Sequence, residues 1–559
     1  NTGYTYILKE DGTVSSLGYN VNGELGNGAK ASTTAVQKVS NLTEIMQVAG
    51  SKNGNFGAAV KEDGTVWTWG ANTNGQLGNG TTDSPKLNAI QVGSSGSNAM
   101  RITHGSVTNQ DTGIQRVEFN NELITNVLIA ENEEFHIFED GISLNQSFSL
   151  LPDSQEVKAG SVEYTSFNPN IATVGKYTGI VTPVKGIYGT AIILVKSDGY
   201  SSIIRVSIKP QDTDDVKSVA KPMVATGASH TIALKYDGTV WTWGNNTNGQ
   251  LGNNSTENSS SPVQVKSADG NGYLTNIIEI SAGSDHNMAL RNDGTVWTWG
   301  SNTYGQLGNG SSVNSMLPVQ VKSADGNSFL TDVVQISAGY VHSMALKKDG
   351  TVWTWGRNDG GQLGNNNTSN KSLPVQVKGG ASGSEYLTDV VQVTAGNWHS
   401  MALKANGTVY AWGWGQYGQL GNGYTTNSDD TDKYSGEKIY SAPVQVLNGA
   451  QTSETGYLKE VVQIDAMGGT GRAEKNRFGT SLAVTESKEV YGWGNSLYGA
   501  LGVKSSIVSK PVRVGTDISN AVQVAGGGKS GSDDWHVNSI GNTGYTYILK
   551  EDGTVSSLG

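Results

Sequence analysis

Between residues 318 and 356 the chain reads PVQV, DVVQISAG, HSMALKKDG and TVWTWG, and within these stretches β-branched runs and apolar–polar alternation of period two dominate. Successive side chains of a strand point to opposite faces, so each stretch predicts a short strand with at least one buried face. Asp349-Gly350 separates the last two and is the pair that a two-residue hairpin turn prefers, because both central positions need positive φ. One period therefore predicts a small antiparallel sheet of four strands, in that order. DGTVWTWG stands verbatim at 63–70, 237–244, 293–300 and 349–356, with drifted copies at 11–18, 406–413 and 487–494. Where the copies are least interrupted their final glycines are spaced by 52, 56, 56 and 57 residues. A sheet this small cannot bury both faces alone, so the copies must stack. Seven of them around an axis predict an all-β, seven-bladed β-propeller.

The stretch SAGYVHSMALKKDGTVWTWGRNDGGQLGNN (337–366) and its sisters carry, in order, Ala-Gly-x-x-His, Ala-Leu, Asp-Gly, Trp-x-Trp-Gly and Gly-Gln-Leu-Gly-Asn. In this the chain resembles the regulator-of-chromosome-condensation repeat family of seven-bladed propellers. The resemblance covers roughly 430 of the 559 residues and implies the shape that the strand pattern also predicts.

From Gly70 to Gly244 the spacing is 174 residues where about 56 are expected, so about 118 are extra, entering after AIQVG (89–93). Residues 162–199 and 201–210 alternate as strands with Gly and Pro turns, and 100–129 reads as a leading strand plus linker. Ser166-Phe-Asn-Pro-Asn-Ile-Ala-Thr-Val174, Thr178-Gly-Ile-Val181 and Gly189-Thr-Ala191 resemble the bacterial group 2 immunoglobulin-like domain, which implies a β-sandwich and a surface-protein spacer or adhesive module. The expected organisation is two blades in 1–93, the insert in 94–220 with its core at 130–210, and five blades with a closing strand in 221–541. Residues 542–559 repeat 1–18 exactly in sequence, as a closing strand or the start of a next unit.

Composition narrows function. A formal charge of −11 opposes a phosphate-binding surface, so nucleic acid is not an expected partner. No apolar run is long enough for a bilayer span, so no direct membrane insertion is expected. There is no Cys, which removes thiol chemistry and disulfides, and no leader at Asn1, so any targeting segment is expected to lie outside this window. His230, His286, His342 and His399 share one repeat position. Residues a blade apart are some 10 Å or more from one another, too far for a common metal, and each is expected to bond within its own blade. Trp pairs such as Trp297 and Trp299 share a strand face and are expected to be buried rather than to stack on sugars. Gly413-Trp-Gly-Gln-Tyr-Gly418 matches a dinucleotide fingerprint, but no helical period follows it. Asp429, Asp430, Asp432 and Glu437 do not keep the spacing of a calcium loop. No catalytic residue, metal site or cofactor is expected, and no enzyme.

Loops of two neighbouring classes are enlarged on one face, around 51–57, 424–440, 468–479 and 527–546. Loops on a rigid scaffold carry binding function, so Tyr424, Tyr434, Tyr440, Arg472, Lys475, Arg477, Trp535 and His536 are the candidate partner surface. The duplicated ends compete for one blade position, which points to head-to-tail self-association, to a chain of propellers, or to a boundary that overlaps itself. Together with the insert, this predicts a secreted or surface-displayed structural and binding protein of a bacterium or archaeon, one unit of a filament or array. The alternative is a protein-binding module acting through the enlarged loops, as the resemblance to the bacterial β-lactamase inhibitor propeller of the same family implies.

Overall fold

The computed structural model describes residues 4–93, 124–136, 162–209, 223–424, 439–470, 477–527 and 545–558, short turns within these spans apart. Among them, six four-stranded and two three-stranded antiparallel sheets make up the repeat region. Sheets are named below by the glycine of their third strand. In the Gly300 sheet the strands are Ile277–Ala282, His286–Arg291, Val296–Gly300 and Ser315–Gln320, paired in sequence order. The Gly70, Gly244, Gly356, Gly413 and Gly494 sheets repeat that order.

The phase differs from the expected one. The Pro-Val-Gln strand closes the preceding sheet instead of opening the next, with Trp297 opposite Gln320 and Thr298 opposite Val319. Alternation identifies a strand but not its neighbour; here a buried asparagine decides. Asn302 Oδ1 accepts the Leu307 N–H at 2.9 Å, and its Nδ2 donates to Ser311 O and Val313 O at 3.0 Å each, folding the loop back onto its own sheet. The returning strand carries Pro262, Pro318, Pro374, Pro443 or Pro511 and is the outer edge, where a missing N–H costs least and discourages edge pairing.

Neighbouring sheets meet in layers. At the inner edge, side chains of one first strand accept N–H groups of the next: Glu279 from Ile336 at 3.3 Å, Ser281 from Ala338 at 3.0 Å, Gln335 from Val393 at 2.9 Å. At the outer edge, the tight Gly-Asn-Gly loop donates to the next sheet, as from Gly310 N to Ser372 O at 2.9 Å. Between them, Trp299 packs on Ile232, Leu234 and Val240, and Trp355 on Met288, Leu290 and Val296 of the preceding sheet. Each such indole is fully buried. At ~25 cal/mol/Å² over roughly 150–250 Å², that burial contributes about 4–6 kcal/mol as an upper bound. The first Trp of each pair is half-buried, and its Nε1 donates to the threonine of Asp-Gly-Thr, as from Trp353 to Thr351 at 3.1 Å.

The histidines correct a second expectation, since they bond across sheets rather than within one. His230 Nε2 meets Asn287 Oδ1 at 2.9 Å, and His286, His342 and His399 meet Ser343, Ser400 and Ser481 Oγ at 3.1, 3.0 and 3.0 Å. Ser400 Oγ in turn donates to Gln362 O at 2.9 Å, which also accepts Trp412 Nε1 at 2.9 Å. With the serine hydroxyl so committed, histidine Nε2 is the donor. Successive side chains of the second strand point to opposite neighbours, so His342 reaches Ser400 of the next sheet while Ser343 bonds back to Gln306 O of the preceding one.

The two terminal sheets are Tyr4–Leu8, Val14–Gly18, Thr33–Lys38 and Ala521–Gly527, Tyr545–Lys550, Val555–Leu558. Both copies of the duplicated hairpin are formed, in separate sheets, with Tyr4–Leu8 lying against the other sheet. They do not compete for one position. Each pairs with the strand nearest to it in sequence, where loop closure costs least. The insert forms one sheet of Val162–Ser166, Gly189–Ser197, Tyr200–Lys209 and Ile124–Ala130, the last pair parallel, and a second of Ala172–Val174, Ile180–Pro183 and Phe135–His136. Among the described residues, Tyr164, Ala172, Val181, Ala191, Ile193 and Val206 are buried in it.

One backbone position yields a prediction. Among the described residues, four that end a crossover between sheets are left-handed: Asn276, Asp332 and Asp389 at φ 61°, 58° and 59°, and Glu460 at 57°. Short Asn and Asp side chains tolerate this region and Glu does not. Glu460→Asn should raise stability by about 0.5–1 kcal/mol, read as a higher urea midpoint at unchanged slope.

Candidate functional site

In these sheets the loops from first to second strand and from third to fourth strand emerge on one face; the Asp-Gly turns and the crossovers emerge on the other. The insert leaves from a crossover, between Lys86–Gln91 and Met223–Thr226. On the first face the repeat residues after Ala-Gly and after Trp-Gly vary: Ser284-Asp285 and Ser301 in one sheet, Tyr340-Val341 and Arg357 in the next, Asn397-Trp398 and Trp414 in the third.

The variation concentrates aromatic and cationic groups at neighbouring junctions. The Arg357 guanidinium lies between two rings, its Cζ 4.6 Å from the Tyr304 centroid and 4.5 Å from that of Trp398. Tyr340 packs on Trp398 from the side, centroids 6.0 Å apart at 37°. The guanidinium edge is bidentate on Asp359, with Nε to Oδ1 and Nη2 to Oδ2 both at 2.7 Å. Trp398 is only 5% exposed and Trp414 2%. A cation held on two ring faces and forked onto a carboxylate is rigid, and desolvation strengthens each contact.

Of the residues expected at this face, Tyr424 is 55% exposed and its ring lies 6.4 Å from that of Tyr440. Burial pushes the Tyr440 hydroxyl above the usual tyrosine range, with the nearby Asn422 amide opposing the shift and Tyr424 adding to it. The structure brings these two together. Arg477 does not sit in a loop: it opens strand Arg477–Thr485, opposite Thr470, because the enlarged 468–479 segment extends as a longer hairpin. Tyr434, Arg472, Lys475, Trp535 and His536 lie outside the described residues, as do Asp429, Asp430, Asp432 and Glu437. Among the described residues no group of three or more His, Asp or Glu could hold a metal ion. Gly413 to Gly418 ends a strand and turns, with Gly418 N on Gly415 O at 3.1 Å, and no helix opens there.

Tyr304, Tyr340, Arg357, Asp359 and Trp398 were not among the expected residues. Loop length selected the enlarged loops, and these five sit in loops of ordinary length. The signal that marks them is composition at fixed repeat positions, where Ser, Asp and Asn give way to Tyr, Arg and Trp.

The RCC1-like domain family matches residues 201–532, and the regulator of chromosome condensation (RCC1) repeat matches 63–104. The chain is similar to the ultraviolet-B receptor UVR8 of Arabidopsis thaliana, 29% identical over 331 residues, covering 55% of this chain and 72% of the receptor. It is similar to the human E3 ubiquitin-protein ligase HERC2, 34% identical over 296 residues, covering 52% of this chain and 5% of that protein. The ligase in that name is thus a property of a far longer protein. Human WBSCR16 shares the fold, with a TM-score of 0.53 at 17% identity, covering 92% of this chain and 97% of that one. With the match spanning more than half of its length and the sheets repeating in register beneath it, the chain belongs to the RCC1-like domain family.

Proposed function

We propose that the chain is a non-catalytic, protein-binding module that engages its partner through the loop face carrying Tyr304, Arg357, Trp398, Tyr424 and Tyr440. The observation that carries this reading is the departure of that face from the repeat: aromatic and arginine side chains, the types that dominate binding hot spots, replace small polar ones there, on sheets locked to one another. A receptor and a ubiquitin-protein ligase among the relatives are compatible with a repeat region that binds protein. In this reading the sheets close as a propeller ring, with Tyr4–Leu8 of one terminal three-stranded sheet lying against the other. The insert is an immunoglobulin-like sandwich, for which its two sheets and shared buried residues give support.

Affinity capture with the full chain tests the binding face. Tyr424→Ala with Tyr440→Ala should lose the captured partner while circular dichroism stays unchanged; retention of the partner at wild-type yield would remove this face from consideration. The assembly reading, a filament unit on a cell surface, rests on the duplicated terminal segment, the inserted module and the acidic, Cys-free composition. Light scattering at high concentration tests it, and a strictly monomeric species would end it.

A further inference from the structure

The junction between the Gly356 and Gly413 sheets differs from its neighbours in the direction of its hydrogen bonds. In the repeats that carry Gly-Gln-Leu-Gly the Gln is buried, and its Oε1 accepts a backbone N–H from two residues earlier, as from Asn248 N at 2.8 Å, Tyr304 N at 3.0 Å and Gly360 N at 2.9 Å. That bond settles which end of the amide is the donor. Gln250 Nε2 then donates to Asn245 Oδ1 at 2.8 Å and Asp285 Oδ1 at 3.4 Å, and Gln306 Nε2 to Ser301 Oγ at 3.3 Å. Gln362 is fully buried and its Nε2 meets no acceptor. The two repeat positions that supplied acceptors to Gln250 hold Arg357 and Trp398 in this repeat, groups that only donate. At these two positions donors stand where acceptors stood, the Asp359 carboxylate being taken up by the Arg357 fork, and a buried donor left unmade is costly.

We propose that this junction receives a carboxylate, supplied by an acidic side chain of a protein partner; the assignment to a partner rests on the protein-binding reading above. One carboxylate has two oxygens and one negative charge, matching the Arg357 fork and the Gln362 amide, with a single cation to neutralise it. Tyr304 and Trp398 hold the guanidinium plane in place for the incoming group. Asp359 occupies the fork in the free protein and is 40% exposed, against 13% for Arg357, so it can turn to water when displaced. The fold already accepts a carboxylate near this place: at the equivalent position of the Gly18 sheet stands Glu24, buried, with Oε2 accepting Asn22 N at 2.7 Å and Oε1 accepting Asn22 Nδ2 at 2.9 Å.

Glu24 also supplies the test variant. Gln362→Glu keeps an oxygen for Gly360 N, removes the orphan donor and puts a negative charge at the place of that donor. Full-length protein labelled with fluorotryptophan, its Trp398 signal assigned through Trp398→Phe, is titrated with N-acetylaspartate methylamide and with the neutral N-acetylasparagine methylamide at constant ionic strength. A saturable shift of the Trp398 signal by the acid alone, weakened about tenfold or more in Gln362→Glu, is the expected result. No saturable shift, an equal shift with the neutral compound, or unchanged binding in Gln362→Glu would overturn the proposal and leave Gln362 satisfied by water only. The same variant enters the capture assay. Lost acid binding with partner capture intact would overturn the partner assignment, whereas failure of the Tyr424 and Tyr440 variants bears on the binding face and not on this site.

Discussion

Lowering the pH from 7 to 4.5 is expected to reduce the unfolding free energy by about 2–3 kcal/mol through His399 alone. Burial holds this imidazole far below its ordinary 6.5, at about 3, so it stays neutral in the folded protein across that range. The unfolded chain takes up the proton once pH falls below 6.5. Between 6.5 and about 3 the unfolded state therefore binds more protons, and stability falls as pH falls; it is fully present above 6.5. Burial also lowers His230, against opposing contributions from Asn287 and Asp285, so its effect has the same sign. Urea denaturation at pH 7 and pH 4.5 measures the difference. His399→Gln retains an N–H for Ser481 without a titrating ring and should flatten the pH dependence by about that one-histidine amount.

Trp355→Ala is expected to cost about 3–5 kcal/mol, among the largest effects of any single substitution in the chain. The indole is fully buried against Met288, Leu290 and Val296 of the preceding sheet, and its Nε1 donates to Gln306 O at 2.9 Å. The substitution leaves a cavity between two sheets and removes one of the two donors to that carbonyl, the other being Ser343 Oγ at 2.9 Å. Trp353→Ala, on the same face but half-buried, should cost less than half as much. Equal costs in denaturant titrations would mean that position in the pair does not set burial.

Strand identity was legible because the period-two pattern is a direct image of which face is buried. Partner choice was not. Asn302 reads in sequence as one more loop asparagine, and only its three-way bonding shows why the Pro318 strand turns back. His342 and Ser400 are 58 residues apart, one repeat, and nothing local reveals that the imidazole spans that distance to the next sheet. The binding face was half legible. Tyr424 and Tyr440 were found through loop length; Arg357 and Trp398 escaped because their loops match the repeat in length and differ only in chemistry. Gln362 is identical in type to Gln250 and Gln306, and its distinction lies wholly in what its neighbours lack.

The claim on which the account depends is that adjacent sheets are fastened by side chains reaching across the junction. A double-mutant cycle of His342→Ala and Ser400→Ala, measured by urea denaturation at pH 7, tests it most directly. Side chains bonded at 3.0 Å across the junction should give a coupling of about 0.5–3 kcal/mol. Two effects that add to within about 0.3 kcal/mol would contradict the fastening and the stacked architecture built on it.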